Sequence, residues 1–192
     1  MNARETSLAV PELLRPAPGP GRPRSVQALD WWRIPGRLGP MLLGLRGQAV
    51  GALLFEDTAP GGPGRPVRDA DAAAPALVRE VARQIDEYLG GRRQGFEFAL
   101  DAAGSEFARR VWRELGALAY GERVGYAQLA ARLGLGAAHA RAVGRAVGAN
   151  PLLVLVPCHR VLGSDGALRG YAGGVARKRT LLELELEAEP PR

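Results

Sequence analysis

A short apolar run that ends at a proline most constrains how this chain can fold. Leu152–Val156 is a run of five consecutive apolar residues, which fits a buried strand better than an exposed segment. Pro157 follows the run, and the residue before a proline is biased toward extended geometry. The pattern predicts a short buried strand that ends at Pro157 and presents Cys158 and His159 at its exit.

Cys158 is the only cysteine among the 192 residues. A single cysteine excludes an internal disulfide and a cysteine-rich zinc module, so the sequence predicts a free thiol in a reducing, cytoplasmic setting. No apolar run approaches the roughly 18 residues that span a bilayer. No basic segment followed by an apolar segment marks a secretion signal. We therefore expect a cytoplasmic protein without a membrane-spanning segment.

The positive charge is concentrated in the second half of the chain. The formal net charge is +6, and residues 99–185 carry twelve Lys and Arg against seven acidic residues. Residues 29–98 are balanced, with nine basic against nine acidic residues. Such an asymmetry is typical of a domain that binds a polyanion, although a plain solvated surface can show the same excess. Composition alone leaves both interpretations open.

The first hundred residues predict a disordered tail followed by a structural domain. Residues 1–28 interleave proline, glycine and arginine, a composition that favours disorder. Residues 29–100 then combine apolar segments with Gly-rich turns, which predict three strands of a small antiparallel sheet at 31–34, 40–45 and 49–55. We interpret this half as a structural module.

Three further segments complete the predicted N-terminal domain. Residues 58–66 are rich in glycine and proline and predict a flexible loop. Apolar residues recur at helical spacing from Leu77 to Leu89, where Gly90 ends the pattern. Residues 96–100 alternate between apolar and polar types as a short strand does. The helix is expected to pack one face on the sheet.

Residues 101–186 predict a mainly helical domain, followed by a frayed tail at 187–192. Helical periodicity covers residues 107–118, 126–133, 138–147 and 177–186. The middle two helices are separated by a Gly-containing turn, and the second of them is alanine-rich and basic. This pattern is typical of a helix-turn-helix, although helical hairpins are common and most are structural. Its small residues allow close approach either to a neighbouring helix or to a groove of DNA.

The residues around Cys158 carry a family resemblance. Pro157-Cys158-His159-Arg160-Val161, with Asn150-Pro151 shortly before it, resembles the active-site signature of the O6-alkylguanine-DNA alkyltransferases. These are repair proteins that move an alkyl group from guanine to their own cysteine. The resemblance covers residues 101–185 closely and residues 30–100 in outline. It implies an α+β fold, with a small N-terminal antiparallel sheet-plus-helix domain and a mainly helical C-terminal domain.

The resemblance implies that Cys158 is the nucleophile. A free thiol has a pKa of about 8.5, so it needs a nearby base or positive charge to become a thiolate at neutral pH. His159 is the adjacent candidate, but neighbours on a strand point to opposite faces, so a bridging water is expected between them. Any of Glu183, Glu185 and Glu187 could orient the imidazole. The resemblance selects Glu185, which lies 27 positions after the cysteine.

The same resemblance implies DNA contacts. Gly121–Tyr126 resembles the segment whose tyrosine contacts the phosphate backbone at a flipped nucleotide and can donate a proton to guanine, a role that falls to Tyr126. Ala140–Gly144 resembles the recognition helix, and Arg141 would fill the gap left by the extruded base. Asn150 resembles the asparagine that joins this helix to the active site. Ala140, Gly144 and Ser164 are further expected DNA contacts.

A pocket for the extruded base is implied around the loop that follows. Val161, Tyr171, Ala172 and Gly173 are the expected pocket residues. Ala172 departs from the pattern of some relatives, which carry a serine that bonds the base oxygen, and the change is expected to affect substrate preference. Some relatives bind zinc in the N-terminal domain through cysteines and histidines that this chain lacks. No metal and no cofactor are therefore expected.

The leading hypothesis is a stoichiometric DNA-repair methyltransferase. It would bind double-stranded DNA that contains O6-alkylguanine, flip the base and transfer the alkyl group irreversibly to Cys158, with O4-alkylthymine an open second substrate. A monomer is expected, because a reader of single lesions does not need the two-fold symmetry of repressors. Two alternatives stay open at this point: a DNA-binding protein that does not transfer, and a cysteine hydrolase that uses Cys158 and His159.

Overall fold

A small sheet packs against a mainly helical half in the computed structural model, which describes residues 29–59 and 64–187. The strands are β1 Asp30–Ile34, β2 Met41–Arg46, β3 Ala49–Phe55, β4 Val67–Asp69, β5 Val124–Gly125 and β6 Val161–Leu162. The helices are α1 Ala76–Leu89, α2 Glu106–Gly116, α3 Tyr126–Arg132, α4 Ala140–Gly148 and α5 Val175–Glu187. The expected α+β fold class is confirmed. The predicted tail at 1–28, all but Glu187 of the predicted tail at 187–192, and part of the predicted loop at 58–66 lie outside the described residues, and Glu187 is the last residue of α5.

The N-terminal sheet is mixed, which corrects the prediction of a purely antiparallel sheet. Its strand order is β3-β2-β1-β4. The three predicted strands pair antiparallel, but β4 pairs parallel to β1 at the far edge. The sequence missed β4 because its three residues, Val67–Asp69, are mostly exposed and too few to show an alternating pattern. Helix α1 begins behind Pro75 and buries Val78, Val81 and Ile85, as its periodicity predicted.

The strand predicted at residues 96–100 is wrong. Only Leu100 forms a bridge, to Val50 of β3. Phe96 packs on Tyr88 of α1 with ring centroids 5.1 Å apart, and Phe98 packs on Phe96 at 5.8 Å. The apolar alternation therefore reflects the burial of Phe96 and Phe98 against the helix. An irregular segment, like a strand, can bury every second side chain.

The strand predicted at Leu152–Val156 is also wrong, for a reason that bears on the site. Leu152 makes one bridge to Leu53 of β3, and the chain then turns, so that the Val156 amide bonds the Leu152 carbonyl at 2.9 Å. Val154 has φ 71°, a left-handed conformation that is strained for a β-branched residue. The run is buried as predicted, but it coils inside the core instead of extending.

The helices of the C-terminal half follow the prediction closely, apart from one boundary. Ser105 caps α2 by accepting a hydrogen bond from the Ala108 amide at 3.1 Å. The helix ends at Gly116, two residues before the predicted end at residue 118, and Gly121 takes φ 76° in a later turn. The indole of Trp112 donates to the Ala146 carbonyl at 2.8 Å and fixes α4 against α2.

The sheet and the helical half share one apolar core. Strand β3 also forms backbone hydrogen bonds with the helical half. The Leu53 amide donates to the Pro151 carbonyl at 2.8 Å, and the Leu153 amide donates back to the Leu53 carbonyl at 2.9 Å. The edge of the sheet thus holds the chain just before Cys158. The division into domains at residue 100 stays a prediction. None of the described helices is long and apolar enough to cross a membrane.

Candidate active site

Cys158 opens a single turn of 3₁₀ helix, Cys158–Arg160, directly after the coiled apolar segment. Its side chain is buried, and it lies at a pocket of about 310 Å³ that is also lined by Tyr126, Gly144, Val147, Gly148, Gly170, Tyr171 and Ala172. This volume lies at the lower end of the range of roughly 300–1,000 Å³ that small-molecule pockets occupy. The pocket is therefore suited to a compact group that must reach the thiol.

Asn150 connects the end of α4 to Cys158. Its side-chain oxygen accepts a hydrogen bond from the Leu152 amide at 3.0 Å, and its side-chain nitrogen lies 3.0 Å from the Val156 carbonyl. The same nitrogen donates to Cys158 Sγ at 3.1 Å. One buried amide thus closes the turn on which the cysteine sits and also contacts the thiol.

Burial dominates the electrostatics of the thiol. Desolvation raises the pKa of Cys158 to about 11, although the hydrogen bond from Asn150 and the charge of Lys178 act in the opposite direction. Lys178 is itself fully buried, and its Nζ donates to the Val161 carbonyl at 2.6 Å and to the Arg169 carbonyl at 3.3 Å. The resting cysteine is therefore a thiol, and a base must remove its proton before it can react.

The imidazole of His159, the next residue, is held by a buried carboxylate. His159 Nε2 lies 2.6 Å from Glu185 Oε1, and both side chains are buried. Burial lowers the pKa of His159 and outweighs the opposing effect of Glu185. We assign a neutral ring whose Nε2 hydrogen is donated to the carboxylate, which leaves the lone pair on Nδ1. Within the described part of the chain, Nδ1 is buried and has no hydrogen-bond partner.

Glu185 is kept charged by a ring of donors. Burial opposes its ionisation, but the hydrogen bonds from His159 and Arg160 and the charge of Arg160 bring the pKa of Glu185 down to about 2. Arg160 donates from Nε to Oε2 at 2.9 Å and from Nη2 to Oε1 at 3.0 Å. The Gly121 amide donates to Oε2 at 3.2 Å, and the Tyr88 hydroxyl donates to Oε1. Because its lone pairs are satisfied, the carboxylate can hold the imidazole in one tautomer.

Adjacent to the pocket lies a much larger groove, of about 1,340 Å³. Its lining includes the predicted DNA contacts Tyr126, Ala140, Arg141, Gly144 and Ser164, together with Arg123 and Arg169. Tyr126 and Gly144 line both the groove and the pocket, so the two spaces meet there. A Cβ on Gly144 would lie 3.6 Å from the Tyr126 ring, so a small residue at 144 keeps this junction open.

Two of the predicted pocket residues lie elsewhere in the described structure. Val161 is fully buried on β6 and offers its carbonyl to Lys178. Gly173 packs against Phe55, where an added Cβ would approach the ring to 2.7 Å. The remaining two, Tyr171 and Ala172, line the pocket beside the thiol.

The sequence-based prediction gave no role to Lys178, Arg160 and Tyr88. A signal for Lys178 was present, since Lys178, Leu181, Leu182 and Glu185 recur at helical spacing and form the buried stripe of α5. Two charged residues on an apolar stripe indicate buried polar contacts. Tyr88 gave no such signal, because a tyrosine on the buried face of α1 is ordinary core. Within residues 29–59 and 64–187, no group of side chains is arranged to hold a metal ion.

Comparisons with known proteins agree with this geometry. The family model described as 6-O-methylguanine DNA methyltransferase, DNA binding domain, matches residues 106–187. A relative from Mycobacterium bovis, named methylated-DNA–protein-cysteine methyltransferase, is 39% identical over 154 residues, which are 80% of this chain and 90% of that protein.

Two solved structures resemble the whole described fold. The Mycobacterium tuberculosis O6-methylguanine methyltransferase has a TM-score of 0.76 and 34% identity, and the match covers 85% of this chain and 96% of that chain. The Mycobacterium tuberculosis OGT in complex with DNA has a TM-score of 0.73 and 35% identity, over 84% of this chain and 95% of that chain. The chain therefore belongs to the methylated-DNA–protein-cysteine methyltransferase family.

Proposed function

We propose that this protein repairs DNA by transferring an alkyl group from O6-alkylguanine to Sγ of Cys158. The observation that carries the proposal is that the only cysteine in the sequence is followed directly by an imidazole whose Nε2 is held by Glu185 and whose Nδ1 has no hydrogen-bond partner among the described residues. Membership of the family supports the reaction class, and the matched DNA-binding model supports DNA as the partner.

The bond changes and the proton transfers balance over the whole reaction. The thiol proton passes through a bridging water to Nδ1 of His159, and the thiolate displaces the alkyl carbon from O6. The new bond is S–C, the broken bond is C–O6, and its electrons stay on guanine. Tyr126 donates a proton to the base, and the resulting tyrosinate is reprotonated through solvent while the His159 imidazolium releases the thiol proton, so the net transfer is one proton from the thiol to guanine. A thioether is a poor leaving group, and the cysteine is consumed.

The depth of the thiol supports base flipping. Cys158 is only 4% exposed, and a guanine stacked in a duplex cannot reach it. Rotating the base into the pocket costs on the order of a few kcal/mol, and a damaged pair reduces that cost. Arg141, exposed on α4 at the groove, would occupy the gap in the stack and offset the unstacking.

The charge of the groove supports phosphate contacts. Arg123, Arg141 and Arg169 line it. Contacts to phosphates bring salt dependence and little sequence preference. Binding is therefore expected to weaken as salt is raised and to be nearly independent of the sequence that flanks the lesion. One protein per lesion is the stoichiometry that we propose, with the protein acting as a monomer.

Intact mass measurement tests this function directly. The protein is incubated with a duplex that contains one O6-methylguanine, and the digested product is mapped. The expected result is the addition of one methyl group, located on Cys158 and absent with an unmodified duplex. Binding of the lesion without any mass gain in the wild-type protein would overturn the proposal and favour a DNA-binding protein that does not transfer.

A further inference from the structure

Arg177, on the first turn of α5, links the N-terminal module to the loop beside the thiol. Its Nε donates to the Leu38 carbonyl at 2.7 Å, in the turn between β1 and β2. Its Nη2 bonds Asp57 Oδ2 at 2.8 Å, just after β3. Its Nη1 donates to the Gly173 carbonyl at 3.0 Å. One guanidinium thus joins two segments of the sheet domain to the pocket loop, which is residues 170–174.

Phe55, at the end of β3, packs against both Arg177 and the pocket loop. The Arg177 guanidinium lies 4.2 Å from the centroid of the Phe55 ring. Gly173 approaches that ring so closely that an added Cβ would lie 2.7 Å from it and 2.5 Å from the Tyr171 ring. The pocket loop is therefore held between the Phe55 ring and the Arg177 guanidinium, and we call these contacts of Arg177 and Phe55 the clamp.

The clamped loop forms one wall of the pocket around Cys158. Gly170, Tyr171 and Ala172 line the pocket, and the Gly174 amide bonds the Tyr171 carbonyl at 2.9 Å to close the loop into a turn. The Tyr171 ring is edge-on to His159, with centroids 6.3 Å apart. A shift of Gly173 would move Tyr171, and Tyr171 faces the space that the alkyl group must occupy.

The turn between β1 and β2 is shaped to receive the guanidinium. Gly39 has φ 111°, and a Cβ there would lie 2.9 Å from Arg177 Nη2. A side chain at residue 39 would be strained and would also meet the guanidinium. Arg177 itself is only 19% exposed at its side chain, so its contacts are shielded from solvent on most sides.

We propose that Arg177 is a positioning residue through which the N-terminal module sets the size of alkyl group that the pocket accepts. This inference rests on the proposed alkyl transfer. With the contacts of Arg177 intact, the pocket wall formed by Tyr171 and Ala172 lies beside the thiol and favours a methyl group. Without these contacts, the wall relaxes outward, so a small group is held less well and a bulky group meets less obstruction.

Single-turnover rates on two duplexes test the clamp, one with O6-methylguanine and one with O6-benzylguanine. Arg177→Met keeps an unbranched apolar stem and removes all three N–H contacts. We expect methyl transfer to fall about tenfold and benzyl transfer to change less than about twofold, because misplacement of a pocket wall costs most for the group that it positions. The benzyl-to-methyl ratio should therefore rise at least about fivefold.

Three control variants separate this effect from a general loss of structure. Arg177→Lys retains the charge near Asp57 but loses the planar fork, so its ratio should move in the same direction as that of Arg177→Met. Asp57→Asn removes the charge of a carboxylate that is 61% exposed but keeps an acceptor oxygen for Arg177, and it should change the ratio less than about twofold. Arg179→Met, at an exposed position on the same helix, should leave the ratio unchanged.

The outcomes distinguish this inference from the function on which it rests. If the wild-type protein transfers neither group, the proposed function fails. If the wild-type protein transfers methyl and Arg177→Met slows both substrates by the same factor, or leaves both unchanged, the clamp has no role in selecting the alkyl group. A benzyl-to-methyl ratio that rises in Arg177→Met and Arg177→Lys, and in neither Asp57→Asn nor Arg179→Met, supports the role of Arg177 in selecting the alkyl group.

Discussion

The two halves of the molecule contribute differently to the surroundings of Cys158. The helical half supplies the thiol, the imidazole, the carboxylate and the arginines of the groove. The sheet half supplies no reacting group, but the Tyr88 hydroxyl reaches Glu185, and Phe55 and Asp57 contact Arg177. A buried charge is stable only when its lone pairs are satisfied. The sheet half therefore helps to keep the Glu185 carboxylate charged and the loop beside Cys158 in place.

The largest effect is expected from removing the charge at the centre of the helical half. Glu185→Gln should slow methyl transfer roughly 100-fold or more, because an amide can turn its NH₂ toward His159 and stabilise the wrong tautomer. It should also cost roughly 3 kcal/mol of the free energy of unfolding, since Arg160 loses its buried partner. Single-turnover kinetics and urea unfolding measure the two quantities. A full rate in Glu185→Gln would contradict the assignment of Nδ1 as the base.

The pH dependence of stability tests the same carboxylate without DNA. The pKa of Glu185 is lowered from 4.5 to about 2 in the fold. Its stabilisation is therefore present above about pH 4.5 and is lost as the pH falls toward 2. Between pH 5 and pH 2 the wild-type protein should lose about 3 kcal/mol more than Glu185→Gln, given 1.36 kcal/mol per pKa unit. Parallel stability curves for the two proteins would contradict a charged, buried Glu185.

Arg141 tests the groove side of the helical half. Arg141→Ala should slow repair of a duplex about 10- to 100-fold, because unstacking costs a few kcal/mol and the side chain no longer fills the gap. Transfer from the free base O6-methylguanine should not change, since no unstacking is needed. Arg145→Ala removes an equal charge from the same helix, away from the groove lining, and serves as the control. Equal losses on duplex and free base would argue against the gap-filling role.

The smallest of these effects is expected from a substitution in the sheet half, at Tyr88. Tyr88→Phe removes one hydroxyl that donates to Glu185 and should slow transfer about tenfold, the magnitude of a hydrogen bond to a charged group. Tyr120→Phe is the matched control, because the Tyr120 hydroxyl is buried and has no hydrogen-bond partner among the described residues. If the two variants behave alike, the sheet half contributes packing and not electrostatics to the site.

The sequence predicted the helices better than the segments that place the thiol. Helices α1 to α5 have periodic apolar faces, and periodicity is a local property of the chain. The run at Leu152–Val156 was misread as a strand because its composition reports burial, which a coiled core segment shares. The Asn150 side chain bonds the Leu152 amide and the Val156 carbonyl across the bend, and the apolar composition of the run does not report these contacts.

The residues of the candidate site also divide into those that the sequence indicated and those that only the structure reveals. Cys158 and His159 stand out by their rarity in the sequence, and the resemblance to a family selected Glu185 among three nearby glutamates. The partners that complete the site come from far along the chain: Tyr88 lies 97 residues from Glu185, and Leu38 lies 139 residues from Arg177. Such pairs follow from the packing of the two halves, and a single sequence does not display them.

A titration of methyl transfer tests the central claim, that Cys158 is the acceptor and is used once. A fixed amount of protein is mixed with a rising excess of duplex that carries O6-[³H-methyl]guanine, and the label in the protein is counted after the reaction has ended. The expected result is a plateau at one methyl group per protein, with the label on Cys158 and none in Cys158→Ser. Release of label to solvent with continued turnover, or labelling of Cys158→Ser, would contradict it.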